Sequence, residues 1–156
     1  MSEPSPIRVA VLGAGGLGKA AARIIGMKQE LRLCAICDSQ GLVVSPDGLQ
    51  TQALSAISGD LVTGYREAVA GANEGVGSVS VATEVDARHC EDPLGELLER
   101  CEEFDAVLVC LPNLPNEFIP GVIERFALAH RSLVFVDVLK RTRAVEQMFA
   151  LDALVK

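Results

Sequence analysis

Apolar runs of strand length alternate along this chain with stretches of helical periodicity. Ile7 to Leu12 is nearly continuous in apolar residues and carries one charge, as in a strand covered on both faces. A six-residue turn follows, after which Leu17, Ala20, Ala21, Ile24 and Ile25 recur on one predicted helical stripe. Leu31 to Cys37 is a second apolar run. The segment SQGLVVSPDGL after Asp38 is rich in Gly, Ser, Pro and Asp and reads as a loop or hairpin.

Helices are predicted over Leu49–Ile57 and Tyr65–Ala72, with a glycine-bearing break at 71–77. Ser78 to Thr83 alternates and predicts a third strand. Asp92-Pro93-Leu94 opens a helix with Leu94, Leu97, Leu98 and Cys101 on one face. Phe104–Leu111 and Ser132–Val138 are the fourth and fifth predicted strands. Between them Asn116 is the expected N-cap of a helix that buries Ile119, Val122, Ile123 and Phe126. A closing helix takes in Ala144 to Val155. Strands that alternate with helices predict an α/β architecture: a doubly wound parallel sheet of about five to six strands.

The turn after the first strand narrows the reading. Gly13-Ala14-Gly15-Gly16-Leu17-Gly18 fits G-x-G-x-x-G between a strand and a helix, and Asp38 stands 20 residues beyond Gly18 at the end of the second strand. Gly13 permits the sharp turn, Gly15 lets a pyrophosphate approach the backbone, and Gly18 lets the helix pack close to the sheet. The helix N-terminus presents unpaired N–H groups and a positive dipole end to phosphates. Asp38 would accept hydrogen bonds from ribose hydroxyls, with Ser39 beside it. Together these features predict a Rossmann dinucleotide-binding domain, where a plain tight turn would need neither the glycine spacing nor the terminal acid.

The residues after the fourth strand, Leu111, Pro112 and Asn113, are candidates for contact with the nicotinamide ribose. The alternative is that the prolines shape a turn. Lys140, beside Arg141 and Arg143 after the fifth strand, is the candidate catalytic residue: a proton donor or acceptor near a carbonyl, or a holder of a substrate carboxylate. The competing reading is a solvated basic cluster. An acid at 38 would repel a 2′-phosphate, and Ser39-Gln40-Gly41 supplies no arginine to receive one, so NAD is expected over NADP.

Composition changes the picture in three places. A net charge of −7 argues against a nucleic-acid surface and a polybasic membrane contact. The start MSEPSP shows neither a basic nor an apolar leader region, and no apolar run has the length of a membrane span. Five cysteines without framework spacing are expected to be buried and reduced, which implies the cytoplasm. Cys34 and Cys37 imitate C-x-x-C, but three residues apart on a strand they are expected to face opposite ways, so no metal site is predicted. The 156 residues are expected to form one dinucleotide-binding domain, 1–156, without a separate substrate domain.

Asp38-Ser39-Gln40-Gly41 followed by Pro46-Asp47-Gly48-Leu49 resembles the segment after the second strand of homoserine dehydrogenases. The runs LPNLPNEFIP and VFVDVLKRTRAVE are similar to saccharopine dehydrogenase-like oxidoreductases. Lys140 falls where homoserine dehydrogenases place a lysine, although theirs follows an asparagine and this one follows Leu139. The resemblance implies the NAD(P) domain of an amino-acid-type oxidoreductase, acting on a small amino or hydroxy acid. Its substrate region would lie in a missing domain or form through a homo-oligomer. The rival reading is a non-catalytic NAD(H)-sensing domain; FAD or S-adenosylmethionine as ligand suits the Gly15-Gly16 pair less well.

Overall fold

The computed structural model describes residues 4–73, 84–112, 114–115, 117–130, 132–138 and 142–151. The elements run β1 (Ile7–Leu12), α1 (Gly16–Ile25), β2 (Leu31–Cys37), β3 (Gly41–Val44), α2 (Thr51–Ala56), α3 (Leu61–Asn73), β4 (Asp86–His89), α4 (Pro93–Glu99), β5 (Ala106–Val109), α5 (Phe118–Ala129), β6 (Val134–Asp137) and α6 (Thr142–Leu151). They build one six-stranded sheet in the order β4-β3-β2-β1-β5-β6, flanked by helices, the Rossmann-like architecture that the strand and helix alternation predicts.

The sheet is mostly parallel. Strands β2, β1, β5 and β6 pair in parallel, whereas β3 runs antiparallel to both β2 and β4. Connection length explains the reversal. Only Asp38, Ser39 and Gln40 separate β2 from β3, and a parallel return needs a crossover of a dozen residues or so. The hairpin is therefore forced, and it realises one of the two readings of the segment after Asp38.

Strand β4 escapes the sequence reading. Three of its four residues are Asp86, Arg88 and His89, the charged dress of an edge strand rather than the apolar run sought. The predicted strand Ser78–Thr83 and the expected cap Asn116 lie outside the described residues.

Each face of the sheet has its own core. Val9, Val11, Leu33, Ile36 and Val43 pack under Ala22 and Ile25 of α1, Leu54 of α2 and Leu61, Val62 and Tyr65 of α3. On the other face Ala10, Leu12, Leu42, Val44, Val107 and Val109 meet Leu97 of α4 and Ile119, Val122, Ile123 and Phe126 of α5. Phe126 meets Phe135 of β6 edge to face, with ring centroids 6.4 Å apart.

Two periodicity arguments give way to backbone detail. The β1–β2 register slips between Val9 and Ala10, which face Leu33 and Ala35, so Cys34 is an extra residue in a bulge. The bulge cancels the strict alternation, and Cys34 and Cys37 join the same core instead of opposite ones. On α1 the buried residues are Gly18, Ala22 and Ile25, while Leu17 and Ile24 are exposed. The close approach of Gly18 to the end of β1, described below, fixes which way the helix faces. The stripe through Leu17 and Ile24 consequently points outward.

Candidate functional site

Strand register brings the C-terminal ends of five strands to one rim. Leu12 of β1 pairs with Cys37 of β2 and Val109 of β5, and Val109 pairs with Asp137 of β6. On the far side Gly41, the first residue of β3, pairs with His89 of β4. Main-chain bonds hold the exits together: Gly13 N–H donates to the Cys37 carbonyl at 2.9 Å, and Cys110 N–H donates to the Leu12 carbonyl at 2.7 Å.

Two of the glycines are required by the protein's own packing. Gly13 has φ +106°, and a methyl group there would stand 2.5 Å from the Cys110 carbonyl oxygen. A methyl group on Gly18 would overlap the Gly13 carbonyl. Gly15 is different. It has ordinary backbone angles (φ −70°, ψ −170°), and among the described residues no atom beyond its immediate chain neighbours lies within 4 Å of where its Cβ would be; the Cβ position of Gly16 is equally open. Among the described residues no packing contact accounts for these two glycines, and an open Cβ position is what close approach of a phosphate to the main chain would require.

The N-terminus of α1 fits such a ligand. Gly15 caps the helix without a side-chain hydrogen bond, and the first turn carries no acidic residue. Its leading N–H groups thus keep their donors and the positive end of the dipole for an outside anion. Ala14 is buried at the foot of the turn and Leu17 is exposed at its lip. Lys19, one turn into the helix, donates from Nζ to the Ile57 carbonyl at 2.5 Å, pinning α1 to the end of α2.

Asp38 stands next to this turn at the end of β2. Its Oδ1 accepts from the N–H of Gln40 at 2.7 Å and of Gly41 at 3.1 Å, and its own N–H donates to the Gly41 carbonyl at 3.0 Å. Ser39 is exposed at the tip, where its Oγ accepts from Gln40 Nε2 at 3.3 Å. Cys90 N–H, just past β4, donates to the Gln40 carbonyl at 3.1 Å and ties the loop to the sheet edge. The sequence reading missed this bracing by Gln40, Gly41 and Cys90. The signal available for it was the Asp-x-x-Gly spacing, which suits a side chain that folds back on its own backbone.

Beyond β5, Leu111 is half-buried against the core and Pro112 is exposed. Leu111 N lies 3.3 Å from the position of a Gly13 methyl, so the exit of β5 abuts the glycine turn. Asn113 and Lys140 lie outside the described residues. Burial pushes the rim thiols up, Cys37 to about 12 and Cys110 in the same direction, which makes them packing groups rather than nucleophiles. Away from the glycine turn, an apolar cavity of ≈ 470 Å³ lies between α5, β6 and α6, with Asp137 in its wall. Among the described residues no helix is long and apolar enough to cross a membrane.

A mostly parallel α/β sheet with an uncapped helix N-terminus and an acid-bearing second strand at one rim defines a dinucleotide-binding domain of the dehydrogenase type. The chain belongs to the Glutamate/Leucine/Phenylalanine/Valine dehydrogenase family, whose profile matches residues 2–90, the span from before β1 to just past β4. It is thus an NAD(P)-binding domain. It is also similar to the (S)-8-amino-7-oxononanoate synthase BioU of Haloferax mediterranei, 37% identical over 152 residues, covering 89% of this chain. The chain spans 42% of the length of that relative.

Proposed function

We propose that residues 1–156 form the NAD(H)-binding domain of an amino-acid-type oxidoreductase, of the saccharopine or homoserine dehydrogenase kind, which positions a nicotinamide for hydride transfer. The observation that carries this is the pair of open Cβ positions at Gly15 and Gly16, directly before an uncapped helix. In this reading the turn from Gly13 to Gly18 holds the pyrophosphate, and Asp38 and Ser39 meet the adenosine ribose. Leu111, Pro112 and Asn113 flank the nicotinamide ribose. Lys140 handles a substrate proton or carboxylate.

The hydride chemistry is supplied by the bound nicotinamide; the chain's residues bind and orient it. The carboxylate of Asp38 favours NAD over NADP by like-charge repulsion of a 2′-phosphate. The relative's name, a synthase of (S)-8-amino-7-oxononanoate, supports chemistry on a small acid whose product bears amino and oxo groups. We place most of substrate recognition outside the cofactor fold, in a further domain or a second copy. Five free cysteines support a cytoplasmic setting.

A Gly15→Ala substitution tests the reading. A methyl group there meets no atom of the other described residues, so the fold is expected to persist with a melting temperature within a few degrees of wild type. NADH affinity, followed by ligand fluorescence, is expected to fall about tenfold or more, the loss of roughly one charge-assisted hydrogen bond to phosphate. Unchanged NADH binding in a folded Gly15→Ala protein would rule out the glycine turn as the phosphate seat.

A further inference from the structure

We propose that Asp38 is the positioning residue of the ribose loop as well as a ribose ligand, with its two carboxylate oxygens dividing these tasks. The proposal rests on the NAD(H) reading above and assigns within it which atom shapes the loop and which one selects the cofactor.

Oδ1 is committed to the protein. It accepts from both Gln40 N–H and Gly41 N–H, the two donors that close the reversal from β2 into β3. The main-chain bond from Asp38 N–H to the Gly41 carbonyl lies in the same turn. The Gly41 bond is part-buried, where an unsatisfied N–H is costly, and the Gln40 bond at the exposed tip closes the same turn. The loop cannot slide to another register either, because a methyl group on Gly41 would come 2.5 Å from the Arg88 carbonyl oxygen of β4. Cys90 N–H, just past that strand, holds the Gln40 carbonyl. Ser39 and Gln40 are thus presented at the rim in one arrangement, fixed from below by β4 and from within by Oδ1.

Oδ2 accepts no hydrogen bond from any described residue, which leaves it for the ribose hydroxyls. The negative charge serves cofactor choice and the Oδ1 acceptor serves loop shape. An amide at this position separates the two: asparagine keeps an Oδ1 that accepts from both N–H groups and loses the charge, whereas alanine loses both.

The test compares wild type, Asp38→Asn and Asp38→Ala in the full chain by NADH and NADPH titration and by amide hydrogen exchange at Gln40 and Gly41. For Asp38→Asn, amide protection is expected to stay at the wild-type level. NADH binding should weaken about tenfold and the preference for NADH over NADPH should shrink by at least as much. For Asp38→Ala, protection at Gln40 and Gly41 is expected to fall and both dinucleotides to bind more weakly than to Asp38→Asn. The proposal is overturned alone if wild type binds NADH while the two variants match each other in affinity, or if alanine leaves the amide protection intact. A wild-type chain that binds neither dinucleotide overturns the NAD(H) reading, and this proposal with it.

Discussion

A methyl group placed on Gly18 would overlap the carbonyl oxygen of Gly13 and stand 2.9 Å from its carbonyl carbon, with a methyl carbon of Val11 at 3.5 Å. The helix that follows the first strand therefore rests directly on the backbone of the turn that precedes it. The atom in the way is main chain, so no rotamer change relieves the conflict. Gly18→Ala is expected to destabilise the domain by about 3 kcal/mol or more, at the upper end for overpacked sites. Urea unfolding measures this directly. Set beside a stable Gly15→Ala, it separates the glycine required by the fold from the glycine whose Cβ position is open.

Arg8 and Asp105 join the starts of β1 and β5. The N–H of Arg8 donates to Asp105 Oδ2 at 2.8 Å, Nε to the same oxygen at 3.0 Å, and Nη2 to Oδ1 at 2.8 Å. The hydrogen bond from the Arg8 guanidinium holds the Asp105 carboxyl below the usual carboxylate range, and burial only partly opposes this. A depressed folded-state pKa means the contribution is present above the unfolded value near 3.8 and disappears as pH falls through the lower folded value. Both side chains are more than one-third exposed, so solvent screening limits the effect. Asp105→Asn is expected to cost about 1 kcal/mol at pH 7, with the difference from wild type vanishing in acid.

Asp60 has two partners of different origin. Its Oδ1 accepts from Thr63 N–H at 2.7 Å at the start of α3, and His89 Nε2 lies 2.9 Å from Oδ2. The backbone N–H of Thr63 is the larger cause and His89 the next, and together they lower the carboxyl to about 2. An NMR titration of the Asp60 side-chain carbon is expected to show this midpoint. His89→Ala should raise it only part of the way toward 3.8, since the Thr63 bond survives. A midpoint in the variant at the full ordinary value would show that the helix cap contributes nothing.

All five cysteines are free, and Cys34, Cys37, Cys101 and Cys110 are buried. Burial raises each of these thiols, and Cys90, half-buried beside Glu96, is raised as well. A chromogenic disulfide reagent at pH 8 is expected to label Cys90 first and slowly, and to reach all five only in denaturant. Rapid labelling of two or more in the native protein would contradict the packing of β2 and β5.

The stretch from Ile7 to Asp38 was legible because periodicity, glycine spacing and the terminal acid all point to the same unit. What escaped has local physical causes. Strand β4 is charged because it is an edge. The bulge at Cys34 comes from the backbone, and an alternation rule has no means to foresee it. The buried face of α1 follows from the contact of Gly18 with Gly13, which overrides the more hydrophobic stripe through Leu17 and Ile24. In the sequence the carboxylate of Asp38 reads as a ribose acceptor and a barrier to a 2′-phosphate, and its folding role becomes visible only with the turn in view. Lys140 and Asn113 rest on their place in the sequence.

The long reach of the Arg8–Asp105 contact has a consequence for assembly. It closes a separation of 97 residues, whereas β1, α1, β2 and β3 meet through short connections. Loop-closure entropy makes such a distant pairing the costlier one to close, so the second half of the sheet is expected to dock onto a first half already formed. The carbonyl of Cys110 that backs Gly13 belongs to that second half. The glycine turn is then backed only once β1 and β5 have paired, and a chain with only its first half in place lacks that backing. A dinucleotide that binds only the completed sheet would act as a latch, holding late contacts shut and raising the apparent stability by about 2.7 kcal/mol at a hundredfold excess over its dissociation constant.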